Sequence, residues 1–349
     1  MLTGLPWAGL LGSGVSLQRY LEFPPETRFI HQAPFSWGVF AGFAVFVAGV
    51  VFLLSYFAIQ NIRHYGFKGS LRYPFPWWGW VAVLGVITCW VLAWTRFSWF
   101  QADQSHSFTP LWLSFILFIN ALCMRRTGTC LLVHQTRYLM MLFPLSAAFW
   151  WFFEYLNRFV QNWHYMHVRF EPLTYFLFAT ISFSTVLPAV LSMREFMMSF
   201  EWVKRGFSNF PPIACKRPSA WAAATLLISG SGLSLVGVFP DYLFPLLWIS
   251  PLLIMVSLQT LWHEQHVFSD SCHGNWQGMV SVSMAALCCG FFWEMWNMYS
   301  LAKWEYTVPF VQRYHVFEMP LLGYAGYLPF GLECAVIGGV LEKAITGKA

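Results

Sequence analysis

The chain has 349 residues, 58% of them hydrophobic and only 10% charged, with 20 Trp and 36 Phe. A soluble domain carries about 25% charged residues, so the composition excludes an ordinary soluble fold and predicts a polytopic membrane protein. The net charge of +5 comes without any basic run, which excludes a nucleic-acid-binding face and leaves loop asymmetry as its meaning.

Residues 1–34 hold Glu22, Pro24, Pro25 and Glu26 and have no basic region ahead of an apolar run. They read as a short interfacial arm rather than a cleaved signal peptide. Nine apolar segments follow, at 35–60, 77–96, 108–124, 138–158, 173–193, 219–239, 242–262, 276–299 and 321–341. Each has the length needed to cross a hydrocarbon core of about 30 Å. The expected class is an all-α polytopic membrane protein with about nine transmembrane helices. Thirteen of the 20 Lys and Arg residues fall on the side reached after the first segment, Arg63, Lys68, Arg72 and Lys348 among them. By the positive-inside rule the N-terminus lies outside and the C-terminus in the cytoplasm. The chain is expected in a bacterial plasma (inner) membrane.

An internal echo organises these segments. Pro110, Trp112 and Ser114 are answered by Pro245, Trp248 and Ser250, Glu154 and Asn157 by Glu294 and Asn297, and Leu187-Pro188 by Leu328-Pro329. The offsets are steady at 135–136, 140 and 141 residues. The expected layout is a leading helix at 35–60, a four-helix repeat at 76–198, a cytoplasmic linker at 199–218, a second four-helix repeat at 219–341 and a tail at 342–349. Repeats of four spans run parallel and are related by an axis along the membrane normal.

The acids mark the candidate site. Glu154 with Asn157, and Glu294 with Asn297, lie three apart and share a helix face. A carboxyl inside the bilayer costs roughly 2.5–3.5 kcal/mol on insertion scales unless it faces protein or water. Both pairs are therefore expected to face the bundle interior and to meet near the axis. Arg158 is placed to pair with Glu154, whereas Met298 leaves Glu294 without that partner. The pairs could equally be polar clamps between helices. Trp163 and Tyr165, like Trp304 and Tyr306, follow as Trp-x-Tyr at the expected outer interface. Glu318 and Glu333, the latter after Pro329, complete a proposed cluster with Glu294 and Asn297. Gln161, Asn162 and His164 could line the same mouth. The loop 300–320 reads as a lid or as a segment lying on headgroups.

His263, His266 and His273 crowd one loop, as weak metal candidates, and a solvated loop is the simpler reading. No Cys-x-x-Cys, Walker or nucleophile-elbow motif occurs, so no cofactor is expected.

Side by side, the duplicated Glu, the Trp-x-Tyr segments and the Phe317-Glu318-Met319-Pro320 stretch resemble the integral-membrane carotenoid enzymes, the lycopene cyclases and bacterioruberin-type hydratases. The Pro and Glu order of that stretch is reversed relative to the cyclases, and the second acid is missing. The resemblance implies a Glu that protonates a double bond, with aromatic faces steadying the carbocation. The leading expectation is an enzyme acting on a membrane lipid or isoprenoid by carboxyl acid–base chemistry, with Glu294 and Glu154 as the acid–base residues. The rivals are a transporter or lipid flippase, and a non-catalytic subunit with a membrane-protein partner or a second copy.

Overall fold

The computed structural model describes residues 2–14, 16–65, 73–167 and 169–347; the basic residues Lys68, Arg72 and Lys348 lie outside them. Helices run in the order α1 (Gly4–Ser13), α2 (Trp37–Tyr65), α3 (Trp77–Trp94), α4 (Phe108–Thr127), α5 (Leu131–His134), α6 (Thr136–Val160), α7 (Pro172–Phe183), α8 (Val186–Met198), α9 (Glu201–Gly206), α10 (Pro218–Leu235), α11 (Pro240–Leu243), α12 (Leu246–Leu261), α13 (Gln277–Asn297) and α14 (Tyr327–Thr346). Each of the nine apolar segments is helical for most of its length. Among the described residues, six helical stretches are long and apolar enough to cross a membrane: Trp37–Arg63, Trp77–Trp94, Gln104–Thr127, Thr136–Val160, Pro172–Met198 and Gln277–Asn297. The chain is thus a polytopic helical protein with the composition of a membrane. The other three segments have identifiable reasons for falling short. Helix α10 is rich in Ala, Gly and Ser, α12 spans only 16 residues, and α14 carries Glu333, Glu342 and Lys343.

Two prolines that fall inside the expected spans open helices. Pro188 and Pro329 are each the third residue of their helix, α8 and α14. There a missing N–H costs nothing, because the first N–H groups of a helix have no partner in it. The chain breaks just before, at Ser184 and Thr185, whose hydroxyls turn back onto the carbonyls of Ile181 (2.6 Å) and Ser182 (2.8 Å). Residues 321–326, assigned to the last span from sequence, form a 3-10 turn ahead of α14.

The all-α expectation needs one correction. Trp163–Met166 forms β1 and Lys303–Tyr306 forms β2, paired antiparallel, and His315–Val316 (β3) pairs with Met319–Pro320 (β4). The alternation in WHYM and KWEY is the period of a strand. It puts Trp163 and Tyr165 on one face and their counterparts Trp304 and Tyr306 on the same face of the ribbon. The register matches Trp163 with Tyr306, His164 with Glu305 and Tyr165 with Trp304. With β3 and β4, the loop 300–320 folds back over the bundle.

Helix packing crosses between the two halves. Helix α13 packs on α8 and α14, and α6 packs on both as well. Trp112 of α4 meets Trp293 of α13 at 4.9 Å between ring centroids, and Trp248 of α12 meets Phe153 of α6 at 5.0 Å. At Gly331 a Cβ would lie 2.5 Å from the Val282 carbonyl oxygen, so glycine is what lets α14 approach α13.

The first residues do not lie loose at an interface. Helix α1 packs on α10, with Leu10 fully buried. The chain after it then crosses the end of α6. Gln161 there adopts a left-handed conformation, φ 49°. Its Oε1 accepts from the N–H groups of Phe29 (2.9 Å) and Ile30 (3.0 Å), and its Nε2 donates to the Thr27 carbonyl (2.8 Å).

Helix α2 behaves differently from every other long helix. None of the residues in its apolar window is buried. It is held at its ends. Phe40 and Ala44 pack against Val308, Val311 and Leu322 at one end, and Ala58 packs against Val203, Phe207 and Phe210 at the other. Asn61 fixes the second end by donating to the carbonyls of Gly206 (2.9 Å) and Asn209 (3.1 Å).

A Cβ at Gly9 would sit 1.6 Å from the Ser234 carbonyl oxygen, whereas one at Gly12 meets nothing within 4 Å. Gly9→Ala is expected to cost about 1–3 kcal/mol, the usual range for overpacking, read as a lowered melting temperature in detergent. Gly12→Ala serves as the control and should leave it unchanged. Equal melting temperatures for the two variants would contradict the packing of α1 on α10.

Candidate functional site

The site is built where α6 and α13 end. Each helix has an Asn in or at the end of its last turn, Asn157 three residues before the end of α6 and Asn297 as the final residue of α13, and each Asn bends the exiting chain into a strand. Asn157 donates to the Trp163 carbonyl (2.9 Å) and accepts from the N–H of Asn162 (2.8 Å). Asn297 donates to the Trp304 carbonyl (2.7 Å) and accepts from its N–H (2.9 Å). Both amides are thereby spent on backbone, as clamps between helix and strand rather than as ligand-binding groups.

Bending the strand back lays its inward face on the carboxyl group one turn earlier. Glu154 Oε1 accepts from the Tyr165 hydroxyl (2.6 Å), Trp163 Nε1 (3.0 Å) and Trp150 Nε1 (3.1 Å). Glu294 Oε1 accepts from the hydroxyls of Tyr306 (2.7 Å) and Tyr327 (2.6 Å), and Tyr306 in turn accepts from Trp304 Nε1 (2.8 Å). Glu154 is 6% exposed and Glu294 0%. Glu294 Oε2 is buried with no hydrogen-bond partner. The Trp-x-Tyr residues expected at the outer interface therefore turn inward onto the acids.

The two carboxyls share no donor. What meets between the halves is β1 with β2, not acid with acid. Arg158 does not pair with Glu154 either. Its guanidinium donates to the carbonyls of Tyr20 (3.1 Å) and Glu22, because the N-terminal segment passes close enough to capture it. The expected cluster around Glu294 divides into three places. Glu318 holds Lys303 Nζ at 3.0 Å, and Lys303 also reaches Glu305 at 3.2 Å. Burial alone would lower the Lys303 pKa, but hydrogen bonds and charge from these two acids outweigh it and raise it. Glu333 lies on α14 and accepts from the N–H of Leu252 (3.1 Å), the residue after Pro251 in α12. It touches neither Glu294 nor Glu318 through any hydrogen bond.

Of the residues expected at the mouth, Gln161 fastens the N-terminal segment, Asn162 donates to the Thr307 carbonyl (3.3 Å) and His164 bonds the Thr307 hydroxyl (3.2 Å). His263, His266 and His273 do not converge. His266 Nδ1 accepts from the N–H of Phe268 and His273 sits beside Cys272. Among the described residues no three His, Cys, Asp or Glu side chains could together hold a metal ion.

A cavity of about 910 Å³ lies against this arrangement, at the large end of ligand pockets. One side is α2, through Val39, Phe43, Phe46, Val47 and Val50; the other sides come from α7, α12 and α14. Its inner wall is formed by Trp150, Trp163, Tyr165, Tyr306 and Tyr327, which bond Glu154 or Glu294, and by Trp304, which bonds Tyr306. Each acid thus stands one hydrogen bond behind an aromatic wall. Among the described lining residues Asp241 is the only carboxylate, and its Oδ1 is taken by the N–H of Ala33 (2.9 Å).

Sequence reasoning did not find Trp150 or Tyr327. Trp150 stands 140 residues before Gly290, and Val186 stands 141 before Tyr327. Both offsets are those of the sequence echo, so the exchange of one aromatic for another could have been found by aligning the two echoing segments. Comparison with protein-family profiles, with curated proteins and with solved structures finds no match.

Burial, then the nearby Arg28, pushes the His164 pKa down to about 4, against an opposing pull from Glu305. Below the ordinary value of 6.5 the unfolded chain takes up a proton that the folded one refuses, so stability is lost as pH falls from about 6.5 toward 4. Melting temperatures at pH 7.5 and pH 5 should differ more for the natural protein than for His164→Gln. An identical pH dependence for both would contradict the buried, neutral His164.

Proposed function

We propose that the protein is a membrane-embedded enzyme that performs carboxyl acid–base chemistry on a lipid or isoprenoid whose chain occupies the cavity. The observation that carries this reading is the wall that ends in Tyr306 and Tyr327, both bonded to the buried Glu294. An apolar chain is what an aromatic cavity of this size accommodates, and a carboxyl placed behind it has few roles other than moving a proton. Glu294 is the source of a proton that is delivered through the wall to a carbon of a C=C bond, the other carbon becomes cationic, and the faces of Trp248 and Trp293 steady that charge. The carboxylate then takes a proton from a neighbouring carbon and the double bond re-forms. No other reactant is needed. This is the chemistry implied by the resemblance to carotenoid enzymes, with Glu294 as acid and base and Glu318 left to its ion pair with Lys303.

We read the chain as nine spans in a leading helix and two parallel four-helix repeats, with the N-terminus outside and the site in the outer leaflet. The register of β1 on β2 supports the duplication. It pairs each Trp with the counterpart of its own Tyr, as a two-fold axis between His164 and Glu305 requires. The matched ring contacts of Trp112 and Trp248 support it too.

A second reading, movement of a lipid between leaflets, draws on α2, which is held only at its ends beside the cavity. One experiment separates the two. The protein is reconstituted with the total lipid extract of its own membranes in D₂O, and the lipids are analysed by mass spectrometry. Acid–base chemistry places deuterium on carbon in a lipid species, and Glu294→Gln should slow that uptake by about 10²–10⁴-fold. Absence of carbon-bound deuterium with the natural protein would overturn the enzyme reading.

A further inference from the structure

We infer that Tyr327 is the residue that passes the proton between Glu294 and a lipid in the cavity, and that Gly290 is what admits it. This rests on the acid–base reading of Glu294 and names the atom that touches the substrate.

Three observations point to Tyr327 rather than Tyr306. The first is the difference between the two copies. Glu154 has one phenol and two indoles as donors, and Glu294 has two phenols. An indole N–H donates but cannot accept, so Trp150 and Trp163 cannot relay a proton, whereas a phenol can accept one as it gives up its own. The second is Gly290. A Cβ there would come within 2.4–2.6 Å of the Tyr327 ring, so this ring fills the space that Trp150 takes in the other copy. Removing one large side chain and adding another on a different helix brings a hydroxyl from the cavity-lining α14 onto the acid. The third is hydrogen-bond capacity. The Tyr306 oxygen both donates to Glu294 and accepts from Trp304, which holds it in place. The Tyr327 oxygen donates to Glu294 and accepts from no side chain among the described residues. Its ring lies nearly parallel to Trp293, at 26° and 6.1 Å, on the cavity wall.

The step balances without a co-reactant. Protonated Glu294 gives its proton to the Tyr327 oxygen as Tyr327 gives its own to the substrate carbon. The C–H bond forms from the π electrons of the double bond, Glu294 becomes a carboxylate and Tyr327 stays a neutral phenol. The reverse sequence removes a proton from the adjacent carbon. Tyr306 is a positioning residue in this scheme.

The test uses the full chain with the total lipid extract of its membranes in D₂O. Tyr327→Phe keeps the ring and its packing on Trp293. It should retain the bound lipid, read by mass spectrometry, while carbon-bound deuterium uptake falls at least 100-fold. Tyr306→Phe should slow uptake to a lesser degree, and Gly290→Ala, which displaces the ring, should slow it with Tyr327 intact. Uptake by Tyr327→Phe at the natural rate, or a larger loss in Tyr306→Phe than in Tyr327→Phe, would overturn the assignment. If Tyr327→Phe does not fold, 3,5-difluorotyrosine at position 327 keeps the hydroxyl and makes it more acidic. The pH profile of uptake must then move, and an unmoved profile overturns the assignment. No uptake by the natural protein would instead remove the acid–base reading on which it rests.

Discussion

Two carboxyl groups buried at the ends of apolar helices set the terms for this structure. A carboxyl there is costly unless donors surround it, and helices alone do not supply enough of them. The chain answers by turning back. An Asn at the end of each helix captures the backbone beyond it, and the strand so formed brings a Tyr onto the Glu with its Trp beside it. The two strands then satisfy each other's backbone groups as an antiparallel ribbon, with His164 opposite Glu305. Helix ends, two-stranded ribbon and cavity wall all follow from one need, to give the buried acids donors without opening them to water.

The leading helix depends on that arrangement in a different way. Helix α2 contributes almost nothing to the core and is pinned at two points, on the segment 308–322 and on the stretch from α9 to Phe210. Between them it stands off the bundle and closes one side of the cavity. On the proposed function, the occupant of this apolar space comes from the bilayer rather than from water.

Much of this could be read from the residues before any coordinates. Apolar runs of spanning length marked the helices to within a few residues, because in lipid a helix is the one local structure that satisfies its own backbone. The spacing of Glu and Asn picked out the acids at the ends of α6 and α13, and the steady offset between the echoing segments tied them together. What could not be read was the destination of each polar group. Arg158 looked like a partner for Glu154 by helical spacing, but the N-terminal segment, more than 130 residues away in sequence, offers it carbonyls instead. Trp-x-Tyr looked interfacial because single-residue preferences carry no information about a strand that folds inward. Glu333 and Glu318 were grouped with Glu294 by proximity in sequence, yet α14 carries Glu333 to the proline of α12 and the hairpin loop gives Glu318 to Lys303. Tyr327 was missed for the opposite reason. Its significance lies in Gly290, a residue with no side chain to notice.

The central claim is that the space between α2 and the bundle is the seat of a lipidic substrate. The most direct measurement is the material that remains with the protein after purification in mild detergent, read by mass spectrometry and visible absorbance. A variant in which Ala325 on the cavity wall is replaced by Trp provides the comparison. A near-stoichiometric long-chain lipid or isoprenoid on the natural protein, depleted in Ala325→Trp, is the predicted result. A folded natural protein that carries no such molecule, or one retained equally by Ala325→Trp, would contradict it.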